Sequence, residues 1–173
     1  AGGGGDGAPA RVDTPTLASL RRVLNVPDSH EVLFLQGGAR GQFAQIPLNF
    51  LGDDQKAAYV DTGTWAIGAF EEARRLGHAE VVATGMDSDY SRLPEITAEA
   101  GRGCAYLHTT SNNTIYGTQW RELPTVSSDV HHVCDMSSDI LSRPVNVSDF
   151  SLIYAGAQKN AGPAGVTLVI VDK

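Results

Sequence analysis

Few cysteines, a shortage of basic residues and the lack of any long apolar run set the first limits on this sequence. Two cysteines in 173 residues, Cys104 and Cys134, are too few for a disulfide scaffold and predict reduced, buried thiols. Thirteen basic against twenty acidic residues give a net charge of −7, which argues against general nucleic-acid binding. The longest apolar stretch, residues 166–171, is far shorter than the roughly 20 residues of a membrane span. With 42% hydrophobic residues and no signal-peptide pattern, we expect a globular, cytoplasmic protein.

The first sixteen residues differ in composition from the rest of the chain. Five of the first seven residues are glycine, and no hydrophobic period runs through residues 1–16, which predicts a flexible tail or linker. Thr14 followed by Pro15 predicts a helix cap and first helical position at the end of this segment. We expect residues 17–173 to form one folded domain.

Short β-branched segments alternate with amphipathic segments along the domain. This alternation predicts an α/β fold with a mostly parallel sheet flanked by helices. The predicted strands are 31–35, 57–61, 80–84, 104–109, 131–135, 152–155 and 165–171, and the predicted helices after the first are 41–51 and 64–76. In such sheets the ligand lies beyond the carboxyl ends of the strands, so we expect the functional residues directly after strands.

A glycine pair follows the first predicted strand. Gly37 and Gly38 precede Ala39 and Arg40 at the approach to a helix. Small residues let the backbone approach an anion, a helix N-terminus presents free N–H groups, and an arginine adds a forked cation. The segment is consistent with an anion site, but an ordinary tight turn explains the glycines equally well.

Asp135 ends an apolar predicted strand. A carboxylate at such a position is costly without a partner, such as a cationic ring nitrogen, a metal ion or an arginine. The plain alternative is a helix cap or a loop acid. The adjacent His131, His132 and Cys134 do not indicate zinc, because neighbouring strand residues point to opposite faces and no second ligand pair follows. We therefore expect no metal site.

Lys159 is the only charged residue in a segment, 155–165, composed mostly of glycine and alanine. Desolvation by small, apolar neighbours would lower the pKa of this lysine and favour Schiff-base chemistry, whereas the alternative is a solvated loop lysine.

Trp65, which opens a predicted helix, is either a stacking platform for a planar ligand or a core aromatic. The polar residues 109–114 offer hydroxyls and amides, or form a plain turn.

These candidates together fit the requirements of one cofactor. Pyridoxal phosphate needs an anion cradle, a lysine for its aldehyde, an acid for its ring nitrogen and a platform for its ring. Each of these groups follows a predicted strand. The residues therefore favour a pyridoxal-phosphate site at the carboxyl edge of the sheet.

Three segments resemble the phosphoserine aminotransferases, a family of fold-type-I, class-V pyridoxal-phosphate enzymes. They are LFLQGGARGQF at 33–43, DMSSDILSRP at 135–144 and IYAGAQKNAGPAG at 153–165, and DYSRLP at 89–94 also agrees. The resemblance extends over residues 17–173. It implies the large, cofactor-binding domain of such an enzyme, with a mostly parallel sheet of seven strands.

The resemblance also implies roles for individual residues. Lys159 matches the Schiff-base lysine, Asp135 matches the acid that pairs with the ring nitrogen, and Trp65 matches the stacking aromatic. The other matches to cofactor contacts are Ala39, Arg40, Thr114 and Gln158. Some members of the family carry glycine where this chain has Ala39. The extra methyl group of the alanine affects how closely the backbone can approach the cofactor at this position.

The implied reaction moves the amino group of L-glutamate to 3-phosphohydroxypyruvate, giving O-phospho-L-serine and 2-oxoglutarate. It belongs to serine biosynthesis, and many bacterial members also serve pyridoxine synthesis. The family implies a homodimer. Members are about twice as long as this chain, so we expect a large-domain piece without the small C-terminal domain and its substrate-binding residues.

Two other interpretations stay open. One is another fold-type-I enzyme, of the cysteine desulfurase or alanine–glyoxylate transaminase kind, although the context of Lys159 and the run after Asp135 argue against it. The other is a non-catalytic product that binds the cofactor or pairs with a longer chain. Turnover of the bound cofactor by glutamate separates an enzyme from an inert product.

Overall fold

The computed structural model describes residues 14–97 and 99–173. Most of the predicted tail lies outside the described residues, and residues 14–16 belong to the first helix. The helices are α1 (Thr14–Val23), α2 (Gly38–Phe50) and α3 (Thr64–Leu76). The strands are β1 (His30–Leu35), β2 (Lys56–Asp61), β3 (His78–Thr84), β4 (Tyr106–Thr110), β5 (Asn112–Asn113), β6 (Thr118–Gln119), β7 (His131–Asp135), β8 (Leu152–Gly156) and β9 (Thr167–Asp172).

Seven of these strands form one mixed sheet. Its order is β1-β9-β8-β7-β4-β2-β3, and the five strands from β8 to β3 run parallel. Strand β9 runs antiparallel to both β8 and β1, because a helix-free loop joins β8 to β9 and returns the chain directly. The predicted α/β fold with a mostly parallel sheet is confirmed.

Hydrophobic side chains cover both faces of the sheet. On one face, α2 and α3 pack against the inward side chains of the central strands, including Tyr59, Val133 and Tyr154. On the other face, α1 packs over a cluster that includes Cys134 and Ile153. The alternation along β7 therefore turns Asp135 toward the face that carries α2 and α3.

Several element boundaries differ by one to three residues from their predicted positions, and two of them have a local explanation. Helix α2 begins at Gly38 rather than at Gly41, because Gly37 takes a φ of 98° and leads straight into the first turn. Strand β4 begins at Tyr106 rather than at Cys104, whose N–H donates to the Gly101 carbonyl oxygen in a turn at 2.9 Å. The loop predicted at 109–114 holds the end of β4 and, with residues 118–119, the short hairpin of β5 and β6.

Both cysteines are buried free thiols, as predicted. Burial raises the pKa of both thiols. None of the helices in the described residues is long and apolar enough to cross a membrane.

Candidate functional site

The candidate residues meet in a cleft at the carboxyl ends of the parallel strands. The cleft has a volume of about 280 Å³ and lies between the start of α2, the start of α3 and the loops after β4, β7 and β8. Its predicted residues are Ala39, Arg40, Trp65, Asp135, Gln158 and Lys159. Thr114, the seventh, contacts the cleft through a hydrogen bond from Lys159.

Asp135 forms the buried end of the cleft, with only 5% of its surface exposed. Its Oδ1 accepts a hydrogen bond from the Ser137 amide at 2.9 Å and another from the Ser137 hydroxyl at 2.6 Å. Burial raises the pKa of Asp135, and the hydrogen bonds from Ser137 and the charge of Lys159 lower it in part. Such a carboxyl gains most from a cationic partner in the cleft.

Ser137 connects the loop after β7 to the end of β8. Its hydroxyl oxygen accepts a hydrogen bond from the Gly156 amide at 3.0 Å while it donates to Asp135. The prediction from sequence missed this residue. A signal for it was present, since a serine two residues after an aspartate is a common turn in which the carboxylate accepts from the backbone.

Lys159 stands at the open end of the cleft and is exposed. Its Nζ donates to the Thr114 hydroxyl at 3.0 Å and lies 5.9 Å from the centre of the Trp65 ring. The expectation that small neighbours desolvate this lysine is wrong, because Gly156 and Ala157 are buried while the turn that follows them is exposed. The amine is nevertheless held within the site by two side chains.

Trp65 is half-buried and flanks the cleft between its two ends. The Arg40 guanidinium lies 5.7 Å from the ring centre, so two cations approach this indole. Its Nε1 is buried and has no hydrogen-bond partner in the described part of the chain. The ring both lines the cleft and packs against the core cluster under α2 and α3, so it offers the cleft a wall that is supported from behind.

The N-terminus of α2 forms the third side of the cleft. Its first turn contains no acidic residue and no side chain caps it, so the free N–H groups face the cleft next to Arg40. Gly156 lets the end of β8 come close, because a Cβ there would lie 3.5 Å from the Ala39 amide nitrogen and 2.8 Å from the Gln158 Oε1. This arrangement fits an anion.

Two further polar residues tie the loops of the site together: Asn112, from the polar residues 109–114 of the sequence analysis, and Ser138, which that analysis did not single out. The Asn112 side-chain amide donates to the Ser138 hydroxyl at 2.8 Å, and that hydroxyl donates to the Asn112 carbonyl oxygen at 3.0 Å. Both residues line the cleft. The pair fixes the loop after β4 against the loop after β7.

The histidines near Asp135 have other partners. His131 Nδ1 lies 2.9 Å from the Ser151 hydroxyl, and His132 Nε2 lies 2.9 Å from the Thr109 hydroxyl. Across residues 14–97 and 99–173, no group of three or more His, Cys, Asp or Glu side chains is arranged to hold a metal ion.

The residues of the cleft match the functional groups of pyridoxal phosphate. The free N–H groups of α2 with Arg40 suit a phosphate, the Trp65 ring suits the face of a pyridine, and buried Asp135 suits a protonated ring nitrogen. Lys159 supplies an amine in the same cleft. The chemistry of the donor set thus fits the cofactor.

Comparison with known proteins assigns the family. The model of the class-V aminotransferases matches residues 15–173. The chain belongs to the class-V aminotransferase family. The phosphoserine aminotransferase of Lysinibacillus sphaericus is 50% identical over 163 residues, which cover 94% of this chain and 45% of that protein.

Solved structures of class-V aminotransferases agree. The phosphoserine aminotransferase of Bacillus circulans subsp. alkalophilus superposes with a TM-score of 0.84 at 49% identity, covering 90% of this chain and 43% of that one. The PLP-bound phosphoserine aminotransferase of Trichomonas vaginalis gives 0.80 at 35% identity, covering 91% and 47%. The chain spans less than half the length of these relatives.

Proposed function

We propose that this chain forms the cofactor-binding part of a phosphoserine aminotransferase. Such an enzyme transfers the amino group of L-glutamate to 3-phosphohydroxypyruvate, giving O-phospho-L-serine and 2-oxoglutarate. The observation that carries the proposal is the cleft itself, which is lined by the buried carboxyl of Asp135 and by the exposed Lys159. Relatives of that name at about 50% identity support the choice of substrates.

Each part of the cofactor has a partner in the cleft under this proposal. The α2 N-terminus and Arg40 hold the phosphate, and Trp65 covers one face of the ring. Gln158 and Thr114 flank the site on the side of Lys159. When bound, pyridoxal phosphate supplies an electron-withdrawing ring that stabilises negative charge on the substrate α-carbon.

Asp135 and Lys159 have different tasks. The Asp135 carboxylate keeps a proton on the ring nitrogen, and burial strengthens this charge pair because little water screens it. The Lys159 Nζ would hold the cofactor aldehyde and, as a free amine, would serve as the base for the proton on the substrate α-carbon. The Thr114 hydroxyl accepts a hydrogen bond from Nζ and keeps it in the cleft.

The same proposal includes the assembly and the setting of the enzyme. We infer a homodimer in the cytoplasm, acting in serine biosynthesis and, with a related phosphorylated keto acid, in pyridoxine synthesis. In the described residues, Arg40 and Lys159 are the cations that line the cleft, and both are assigned to the cofactor. Groups for the substrate carboxylates therefore come from elsewhere in the assembly.

Titration with pyridoxal phosphate tests the cofactor site. The chain has three lysines, which allows a matched set of variants: Lys159→Ala, Lys56→Ala and Lys173→Ala. Lys56 and Lys173 pair with glutamates at 2.7 and 3.0 Å outside the cleft. We expect a saturable visible absorbance band in the wild type and both controls, and its loss in Lys159→Ala alone.

Borohydride reduction followed by peptide mass spectrometry locates the modified lysine independently of the spectrum. A band that persists in Lys159→Ala, or a label spread evenly over the three lysines, would contradict the assignment of Lys159.

Addition of L-glutamate then tests for the transfer reaction. Loss of the visible band with release of one equivalent of 2-oxoglutarate per bound cofactor is the expected result. A Lys159-dependent band that glutamate leaves unchanged would mean that the chain binds the cofactor but does not accept the donor, which is the inert product considered from the sequence.

A further inference from the structure

Three side chains stand in one row across the sheet at the buried end of the cleft. Strand register pairs Thr110 of β4 with Asp135 of β7, and Asp135 with Tyr154 of β8. Laterally paired residues of parallel strands point to the same face, so Tyr154 is the neighbour of Asp135 in the sheet. Tyr154 has no exposed surface. Neither Tyr154 nor His108, with which it forms a hydrogen bond, has a role in the proposed cofactor contacts.

The hydroxyl of Tyr154 meets His108, which lies two residues before Thr110 on β4. The His108 Nε2 is 2.8 Å from the Tyr154 hydroxyl oxygen. The imidazole also stacks on Tyr59 with ring centres 4.9 Å apart, which fixes its orientation. His108 is 1% exposed, so water does not compete for this contact.

The other ring nitrogen of His108 decides the direction of this hydrogen bond. Nδ1 is buried and has no hydrogen-bond partner among the described residues. A buried N–H without an acceptor costs more than an unused lone pair, so the proton belongs on Nε2. His108 then donates to the Tyr154 oxygen, and the Tyr154 O–H is free to donate in turn.

The acceptor available to Tyr154 is the Asp135 carboxylate. Both Ser137 hydrogen bonds end on Oδ1 of Asp135, which leaves Oδ2 for another donor. We propose that His108 and Tyr154 are positioning residues: His108 orients the Tyr154 hydroxyl, which donates to Asp135 and stabilises its anionic form toward the cofactor. The effect of Tyr154 and His108 on the cofactor rests on the proposed function, whereas the hydrogen bond from Tyr154 to Asp135 does not.

The titration behaviour of the groups around Asp135 is consistent with this chain of donors. Burial lowers the pKa of His108 to about 3, so the imidazole is neutral, and burial raises the pKa of Tyr154 well above its usual value, so the phenol keeps its proton. The titratable and charged groups around Asp135 and Tyr154 are Lys159 from the loop after β8, Cys134 on β7, Tyr59 on β2, His108 on β4 and Arg40 on α2.

The first test measures the pKa of Asp135 directly in the chain prepared without cofactor. Carbon-13 NMR of the aspartate carboxyls follows the titration, and an Asp135→Asn spectrum assigns the signal. We expect Tyr154→Phe to raise the pKa of Asp135 by about one unit, a tenfold change in acidity, because it removes one donor to the carboxylate.

Tyr106→Phe is the matched control. Tyr106 lies on β4, is as buried as Tyr154 and pairs its hydroxyl with that of Tyr59 at 2.7 Å. Loss of the Tyr106 hydroxyl leaves the buried Tyr59 hydroxyl unpaired, just as Tyr154→Phe leaves His108 unpaired, but it removes no donor to Asp135. We expect no change in the pKa of Asp135 in this variant.

A pair of substitutions at His108 tests the orienting step. His108→Gln keeps a side-chain N–H that reaches the place of Nε2, and His108→Leu removes it. We expect His108→Leu to raise the pKa of Asp135 as Tyr154→Phe does, and His108→Gln to restore most of the wild-type value. This pair also decides the question if Tyr154→Phe does not fold.

The outcomes separate this inference from the proposed function. Equal Asp135 titrations in the wild type, Tyr154→Phe and His108→Leu overturn the inference even if pyridoxal phosphate binds through Lys159. A shift in those variants, without any Lys159-dependent band, supports the donor chain and refutes the cofactor assignment. With cofactor bound, the pH dependence of the visible band should move in Tyr154→Phe and not in Tyr106→Phe.

Discussion

Acidification should destabilise this fold through two buried histidines. Burial lowers the pKa of His108 to about 3 and that of His132 to about 4, from 6.5 in an exposed histidine. The unfolded chain therefore binds more protons than the folded chain as the pH falls below about 7, and stability falls with it. The contribution of the two histidines to the free energy of unfolding is fully present above the unfolded pKa of 6.5. It is lost progressively as the pH falls toward the pKa values of the folded state.

The size of the loss follows from the proton counts. An unfolded histidine binds about 0.24 proton at pH 7 and about 0.97 at pH 5, whereas each buried histidine binds at most about a tenth of a proton over this range. Integration gives a loss of about 2 kcal/mol for each histidine between pH 7 and pH 5. Both together cost about 4 kcal/mol, a large share of the roughly 5–15 kcal/mol typical of a domain.

The assay is urea unfolding at pH 7 and pH 5 for the wild type, His108→Gln and His132→Gln. Each variant should lose about 2 kcal/mol less than the wild type over this interval, whatever its stability at pH 7. The raised pKa of Asp135 has the opposite effect on stability, because on acidification the folded state binds a proton at Asp135 before the unfolded state does. This effect is common to all three proteins. His78→Gln at an exposed position is the control and should follow the wild type. Equal losses in all four proteins would refute the argument that burial keeps these rings neutral.

Three substitutions probe the supports of the cleft. Ser137→Ala removes one hydrogen bond to the Asp135 carboxylate at 2.6 Å, so cofactor affinity in the spectral titration should fall about tenfold. Gly156→Ala places a Cβ 2.8 Å from the Gln158 Oε1, the far end of a flexible and exposed side chain, so Gln158 should move within the cleft and weaken cofactor binding while the free energy of unfolding changes by less than about 1 kcal/mol. Asp139→Asn removes the buried charge 3.8 Å from the partly exposed Arg143, and urea unfolding should show a loss of about 1 kcal/mol; an unchanged free energy of unfolding would contradict a stabilising ion pair there.

The fold was predictable where the pattern of residues depends on local surroundings. The inner strand β2 is buried along nearly its whole length and is apolar over most of it, as a strand covered on both faces must be. The direction of β9 was not predictable in the same way, because it depends on the connection from β8. That connection contains no helix, and only a crossover of greater length returns a strand in parallel.

The candidate site was predictable to the extent that function depends on residue type and on position after a strand. Asp135 and Lys159 satisfy both conditions, so the cleft could be described before the structure. Tyr154 and His108 satisfy neither, since both are strand residues whose types also suit a core. They lie 46 residues apart and meet only because β4 and β8 flank β7 in the sheet.

Asp135 and Lys159 differ in burial, and this difference suits the two tasks proposed for them. Asp135 lies at the end of a central strand, fixed by Ser137 and by the row of side chains beside it, where a charge must keep one place and one protonation state. Lys159 lies in an exposed turn, where its Nζ donates a hydrogen bond to the Thr114 hydroxyl. The structure buries the carboxyl, whose pairing with a ring nitrogen gains from a low dielectric, and leaves exposed the amine, which has to reach the reacting groups under the proposed function.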